Sequence, residues 1–335
     1  MDRKSFLAGA VAAGVAAVLL ERARRHRVNL ACRADHITRR AVHLLDVPAE
    51  SVFLAVGQVR LHAVVAGPQD GPLALLLHGF PECWYSWRHQ VPALVRAGYR
   101  VVVPDQRGYN LSDKPAGVAS YQIDHLTGDV LGLIRALGRE RARVVGHDWG
   151  GFVAWRLAMD HPQVVERLVV MNAPHPVAFA RALAADWSQR LKSWYMAAFQ
   201  VPWLPEALLG LSSLGTARLF FRGTAVRRSA FSETDLEVMA AALAQPGALK
   251  AMIHWYRAAF RYRPAQRVRP IEAPTLLLWA EDDVALGKGL TYGLERWVPA
   301  LEIHYIPNCG HWVQNEAPDE VNGQLLAFLN GDGGR

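Results

Sequence analysis

Arg143-Val144-Val145-Gly146-His147-Asp148-Trp149-Gly150-Gly151 is the stretch from which the fold of this chain is read. A short apolar run leads into it and a helix-like segment, Gly151 to Met159, leaves it, so an acid stands at the tip of a strand-to-helix turn. Small residues two before and two after the tip let the turn close tightly and lift the side chain between them clear of the sheet. A serine raised in this way would attack acyl groups. A carboxylate is suited instead to displacement at saturated carbon, giving an alkyl-enzyme ester that water must later cleave. Gly-x-Asp-x-Gly strings also occur as plain surface turns, so the reading gains its weight from what the rest of the chain supplies.

Upstream, Val52 to Val56 and Val59 to Val65 read as a hairpin, with Gly57-Gln58 as the tight turn and Val59, Leu61, Ala63 and Val65 alternating against Arg60 and His62. From Leu73 onward the pattern changes to continuous apolar runs too short for helices: Leu73 to Leu77, Val101 to Val103, Val144 to Val145, Leu168 to Met171 and Thr275 to Trp279. Parallel strands covered on both faces read this way. Between them lie segments of helical length, such as Trp84 to Arg96 and Leu126 to Leu137. The alternation predicts an α/β protein with a mostly parallel, doubly wound sheet, its core formed by residues 45–175 and 270–330. Residues 176–269 break the rhythm, with many aromatics and helix formers and no strand-like run. They are expected to form a helical cap inserted between two strands, in which most aromatics serve as core.

A nucleophile on such a turn predicts where its helpers fall: an acid after a later strand, then a histidine after the last. Thr275 to Trp279 is followed by Ala280-Glu281-Asp282-Asp283, and Leu301 to Ile306 by Pro307-Asn308-Cys309-Gly310-His311-Trp312. Both slots are loops at strand ends, where open α/β sheets carry their sites. Asp148 is already an anion, so His311 is expected to take a proton from the water that attacks the ester, with Asp283 holding its tautomer. Three acids in a row leave Glu281 and Asp282 as alternatives to Asp283. His78-Gly79-Phe80-Pro81 follows Leu73 to Leu77, so the backbone N–H groups of Phe80 and Trp149 are expected to form an oxyanion hole. Trp149, His78 and Pro81 are expected to wall the substrate pocket, although packing and hydrogen bonding under the site account for His78 better than chemistry does.

The chain has 335 residues, 51% of them hydrophobic, enough for one large domain with an insertion. Its net charge of +7 is concentrated at one end. Residues 1–40 hold nine Lys/Arg against three Asp/Glu, leaving 28 against 27 in the remainder, so the body lacks the basic groove that a nucleic-acid partner requires. The same forty residues contain an uncharged run, 5–20, followed by Arg22, Arg24, Arg25 and Arg27. As an N-terminal apolar helix it would reach about 24 Å, short of a hydrocarbon core of roughly 30 Å. The expectation is a membrane anchor with the body kept cytoplasmic by the arginines; the alternatives are a cleaved export signal, for which Arg3-Lys4-Ser5-Phe6-Leu7 loosely qualifies, and a soluble or peripheral helix. Cys32, Cys83 and Cys309 show no paired spacing, which favours a reducing compartment and gives neither a disulfide framework nor a zinc site.

Taken together, His78-Gly79-Phe80-Pro81, Asp105-Gln106-Arg107-Gly108-Tyr109, Gly146 to Gly151, Asn172-Ala173-Pro174-His175-Pro176, the loop ending at Asp283 and Gly310-His311-Trp312 resemble the epoxide hydrolases of the α/β-hydrolase fold, over residues 50 to 330. Several of these motifs are shared with haloalkane dehalogenases. The resemblance implies two tyrosines in the cap that protonate the opening epoxide oxygen, since a phenol with a pKa near 10 remains a donor at neutral pH. One lies in a Trp-Tyr-Arg string, matched by Trp255-Tyr256-Arg257; the other precedes a Phe-Gln pair, matched by Tyr195 before Phe199-Gln200. Asn110 departs from the family in replacing a glycine after Arg-Gly-Tyr, which concerns loop conformation. The implied reaction takes a small apolar epoxide and water to a vicinal diol, with no cofactor and no metal. The rivals are haloalkane dehalogenase and a ligand-binding relative without turnover; a serine esterase is excluded because no serine occupies the turn.

Overall fold

Continuous apolar runs become the inner strands of one sheet because each is covered on both sides, and β3 (Leu73–Leu77) and β7 (Thr275–Ala280) are buried at every position. The computed structural model describes residues 33–262, 264 and 268–331. Eight strands lie in the order β1-β2-β4-β3-β5-β6-β7-β8, adding β1 (Ala49–Val56), β2 (Val59–Ala66), β4 (Arg100–Pro104), β5 (Ala142–His147), β6 (Val165–Met171) and β8 (Leu301–Ile306). The hairpin closes at Gly57-Gln58, Gly57 taking the left-handed φ of 56° that a two-residue turn demands. β1, β2 and β4 pair antiparallel and all later pairs are parallel. Strand order reverses at β3, so the carboxyl ends of β3 and β5 open a crevice there.

The segment expected as one helix from Trp84 to Arg96 is divided into a 3₁₀ turn, Trp84–Trp87, and helix α1, Gln90–Arg96. Pro92 explains the break, since its ring opposes the Arg88 carbonyl and it has no N–H to donate. Helix α2 (Ile123–Ala136) lies between β4 and β5, and α3 (Trp149–Asp160) leaves the decisive turn. Between β6 and β7 the chain is helical: α4 (Pro176–Ala185), α5 (Trp187–Lys192), α6 (Trp194–Ala198), α7 (Leu204–Leu209), α8 (Ser213–Ala217), α9 (Glu233–Ala244) and α10 (Ala248–Arg261). The apolar run 5–20 lies outside the described residues; among those described, no single helix is long and apolar enough to cross a membrane.

Candidate active site

Asp148 is the pivot between β5 and α3, held at φ 49° and ψ −120°, a region that L residues rarely occupy. Its neighbours are small because there is no room for side chains. A Cβ on Gly150 would lie 2.1 Å from the Leu77 carbonyl oxygen, one on Gly146 2.5 Å from that of Gly150, and one on Gly79 2.4 Å from the Asp148 Cβ. The backbone so compressed presents the carboxylate to its partners. The Phe80 N–H donates to Oδ1 at 2.7 Å, and Oδ2 lies 3.6 Å from His311 Nε2.

Asp283, and neither Glu281 nor Asp282, meets the imidazole: its Oδ2 lies 2.7 Å from His311 Nδ1, while Glu281 pairs with Lys288 on the protein exterior. Burial by itself would raise the Asp283 pKa, but His311 and hydrogen bonds from the Ala285 N–H and the Asn172 side chain outweigh it and hold the carboxyl below its ordinary value. For His311, burial disfavours the charged ring, yet the Asp283 and Asp148 carboxylates raise its pKa well above the usual one.

Tyr195 and Tyr256 stand across from the carboxylate, ring centroids 5.9 Å apart. Burial of both hydroxyls, followed by neighbouring acidic groups including Asp148, pushes both phenols up, so they stay protonated. Trp255-Tyr256-Arg257 work as a unit. Trp255 Nε1 donates to the Arg107 carbonyl at 3.0 Å, and Arg257 pairs with Glu206 at 2.5 Å and donates to the Phe199 carbonyl, so the phenol between them is fixed from both sides. The Trp149 ring packs edge-on against that of Tyr256, with centroids 5.0 Å apart.

Two apolar chambers meet at these groups, and Asp148, Tyr195 and Tyr256 line both. One, about 370 Å³, includes Trp149, Phe152, Phe179 and Phe260; the other, about 420 Å³, includes Phe80, Phe220, His311 and Trp312. A larger polar cleft of about 760 Å³ around Arg88 and Asp235 shares no residue with them. His78 and Pro81, expected as pocket walls, line neither chamber. The His78 ring is wholly buried, bonded to Gly79 and to the Gln106 N–H, and burial lowers its pKa; it props the loop that carries Phe80. Pro81 is buried, joined to Phe80 by a cis peptide.

Sequence reading missed a second acid–imidazole pair beneath the first. Glu82 Oε2 lies 2.8 Å from His147 Nδ1 and accepts from the Gly79 N–H, while His147 Nε2 lies 2.8 Å from the His311 carbonyl oxygen. Burial would raise the Glu82 pKa, but His147 and hydrogen bonds from Ser86 and Gly79 hold it at about 2. The pair ties the loop after β3, the turn after β5 and the loop after β8 into one block. An acid directly after His-Gly-Phe-Pro was the available signal. Asn172 was also missed as a support; at φ 39° it donates to Asp283 and accepts from the Ala280 N–H at 2.9 Å. Asn110 takes the left-handed φ of 39° in the glycine's stead and donates to Asp105. Cys83 and Cys309 are buried and unpaired, and Cys32 lies outside the described residues. Among the described residues no group of three or more His, Cys, Asp or Glu side chains is placed to hold a metal ion.

The alpha/beta hydrolase fold family matches residues 72–318. The AB hydrolase superfamily protein YfhM of Bacillus subtilis is 42% identical over 277 residues, 83% of this chain and 96% of that one. Epoxide hydrolase 3 of Mus musculus is 39% identical, over 81% of this chain and 74% of its own length. The chain belongs to the epoxide hydrolases of the α/β-hydrolase fold. Among solved structures, a Bacillus megaterium epoxide hydrolase bound to an inhibitor superposes with a TM-score of 0.77 at 30% identity, covering 83% of this chain and all of that one.

Proposed function

We propose that this epoxide hydrolase opens an apolar epoxide through a covalent ester on Asp148, with residues 176–269 acting as its cap. Asp148 Oδ1, engaged by the Phe80 N–H, keeps the carbonyl role, and Oδ2 attacks the less hindered epoxide carbon. The C–O bond breaks as the departing oxygen takes a proton from Tyr195 or Tyr256. Water then gives a proton to His311, braced by Asp283, and attacks the ester carbonyl carbon. The resulting oxyanion is met by the N–H groups of Phe80 and Trp149, the latter free of helical partners at the first position of α3. Collapse expels the diol alkoxide, which the imidazolium reprotonates, and the proton left on the acid returns to the tyrosinate, restoring a carboxylate that carries one oxygen from water.

The observation that supports this reading most is a carboxylate at the turn with two protonated phenols lining the same chambers. A departing halide needs no proton, so the phenols favour an epoxide over an alkyl halide. A styrene-type epoxide and a brominated alkane assayed side by side test the choice, and the His311→Gln variant tests the route. Diol production by the wild type and an alkyl adduct in the intact mass of the variant are expected. Bromide release without diol would transfer the assignment to a dehalogenase, and binding without either product would leave a ligand-binding relative.

A further inference from the structure

Among the described residues, the large apolar side chains that face solvent are concentrated on one part of the fold. Trp187 (68% exposed), Leu191 (58%), Trp194 (68%), Trp203 (74%), Leu208 (57%) and Leu219 (62%) all belong to the insertion. They follow the helical repeat. Trp187, Leu191 and Trp194 succeed one another at four and three residues along α5 and into α6, and Trp203 enters α7, whose exposed face carries Leu208. Exposed tryptophans in such number are unusual on a soluble surface, and an indole with its apolar ring and N–H suits a lipid–water boundary.

Two further observations identify what covers this face. The first is position: Trp194 and Leu219 also line the 420 Å³ chamber that reaches Asp148, so that chamber meets the surface inside the apolar patch. The second is charge. Residues 186–228 hold six Lys/Arg against two Asp/Glu; Arg218 and Arg222 pair with Glu233, Arg190, Lys192 and Arg227 donate to backbone carbonyls that leave their charge uncompensated, and both acids are engaged, Asp186 at the Ser188 N–H and Glu206 with Arg257. A second copy meeting this face across a two-fold axis would set cation against cation. The N-terminal forty residues, with nine Lys/Arg against three Asp/Glu, carry the same sign. An anionic surface is the complement.

We propose that this face of the insertion docks on an anionic lipid bilayer, with its tryptophans at headgroup depth, so that the reaction chamber opens toward the membrane and receives apolar epoxides from it. The docking stands on the patch itself; the passage of epoxide rests on the function proposed above. The apolar face buries in the acyl boundary while the surrounding cations remain among the headgroups, as an interfacial helix does.

The test uses the full chain and a triple variant, Trp187→Ser, Trp203→Ser and Leu208→Ser, none of which lines either chamber. Two substrates are supplied: styrene oxide in buffer, and a long-chain epoxide dissolved in vesicles of phosphatidylcholine with a minority of phosphatidylglycerol. The variant is expected to keep its rate on the soluble epoxide and to lose about tenfold or more in kcat/KM on the vesicle-borne one, with the loss shrinking when phosphatidylglycerol is omitted. An equal rate on vesicles for variant and wild type overturns the proposal, and so does an equal loss on both substrates. Light scattering supplies the other decision: a wild-type dimer that the variant abolishes assigns the face to a second copy. If neither form turns over any epoxide, depth-dependent quenching of the wild-type tryptophans by brominated lipid, diminished in the variant, still supports docking while the catalytic reading fails; unchanged quenching overturns the docking.

Discussion

Asp148 and Tyr256 line the same chambers, yet the turn that bears the first and the helix that bears the second are held by different means. Around Asp148 the constraint is backbone against backbone: Gly146, Gly150 and the end of β3 approach so closely that no Cβ fits, and the buried Glu82–His147 pair locks three loops together. Around Tyr256 the constraint is side chain on carbonyl and side chain on side chain, through Trp255, Arg257 and Glu206. Short helices with exposed tryptophans surround it. On the proposed mechanism, the covalent step falls to the side of the cavity held by backbone contacts, whereas proton donation and access fall to the side held through side chains.

The largest effect should come from the rigid side. Asp148→Ala is expected to lower kcat by about 10⁴-fold or more with an unchanged circular dichroism spectrum, because no other carboxylate lines the two chambers. Ordinary turnover by a folded variant would remove the nucleophile from the account. The opposite wall carries two phenols, Tyr195 and Tyr256, on the same chambers, and this sharpens the contrast. Tyr195→Phe or Tyr256→Phe alone should cost about 10²-fold in the alkylation rate, measured by rapid quench, with a much greater loss when both are changed. Two single variants as slow as the double would show that the phenols do not substitute for one another.

The electrostatics give a third test. In the free enzyme His311 is raised by Asp283 and Asp148 against the effect of burial. On the proposed route, esterification would remove the charge of Asp148, so the His311 pKa would fall in the intermediate and the neutral base would become available. Below that lowered pKa the ring is protonated, and ester hydrolysis should slow about tenfold per pH unit. Acid quench and intact mass should therefore show the ester fraction rising as pH falls, and a fraction independent of pH would contradict His311 as the base.

The smallest effects concern stability. Gly150→Ala, with its Cβ against the Leu77 carbonyl oxygen, should cost about 3 kcal/mol in denaturant unfolding. Trp203→Ser, on a largely exposed side chain, should change stability by only about 0.5 kcal/mol. Equal costs would erase the distinction between the two sides.

This asymmetry also explains what could be read from the sequence. Strands β3 to β8, the acid at the turn, and the order Asp148, Asp283, His311 were legible because burial on both faces and tight turns leave direct marks in residue type. Asp283 was the preferred acid of its run, but setting aside Glu281 and Asp282 required the fold, in which the Asp283 carboxylate meets Nδ1 and Glu281 pairs with Lys288. Glu82 and His147 left no periodic signal, because the buried carboxylate–imidazole contact joins a loop and a strand end distant in sequence. His78 was misplaced as a pocket wall for the same reason: its position in the motif was visible, but the direction of its ring was not. The two phenols were found through resemblance, not pattern, and the exposed tryptophans looked like core because an aromatic helix reads alike whichever way its face turns.

The central claim is the transient bond between Asp148 and substrate carbon, and a single turnover with excess enzyme in heavy-oxygen water tests it most directly. The first diol is expected to carry an unlabelled oxygen from the carboxylate, with the label recovered in the peptide containing Asp148. Label appearing in the diol on the first turnover, with that peptide unlabelled, would mean that water attacks the epoxide directly and would contradict the account.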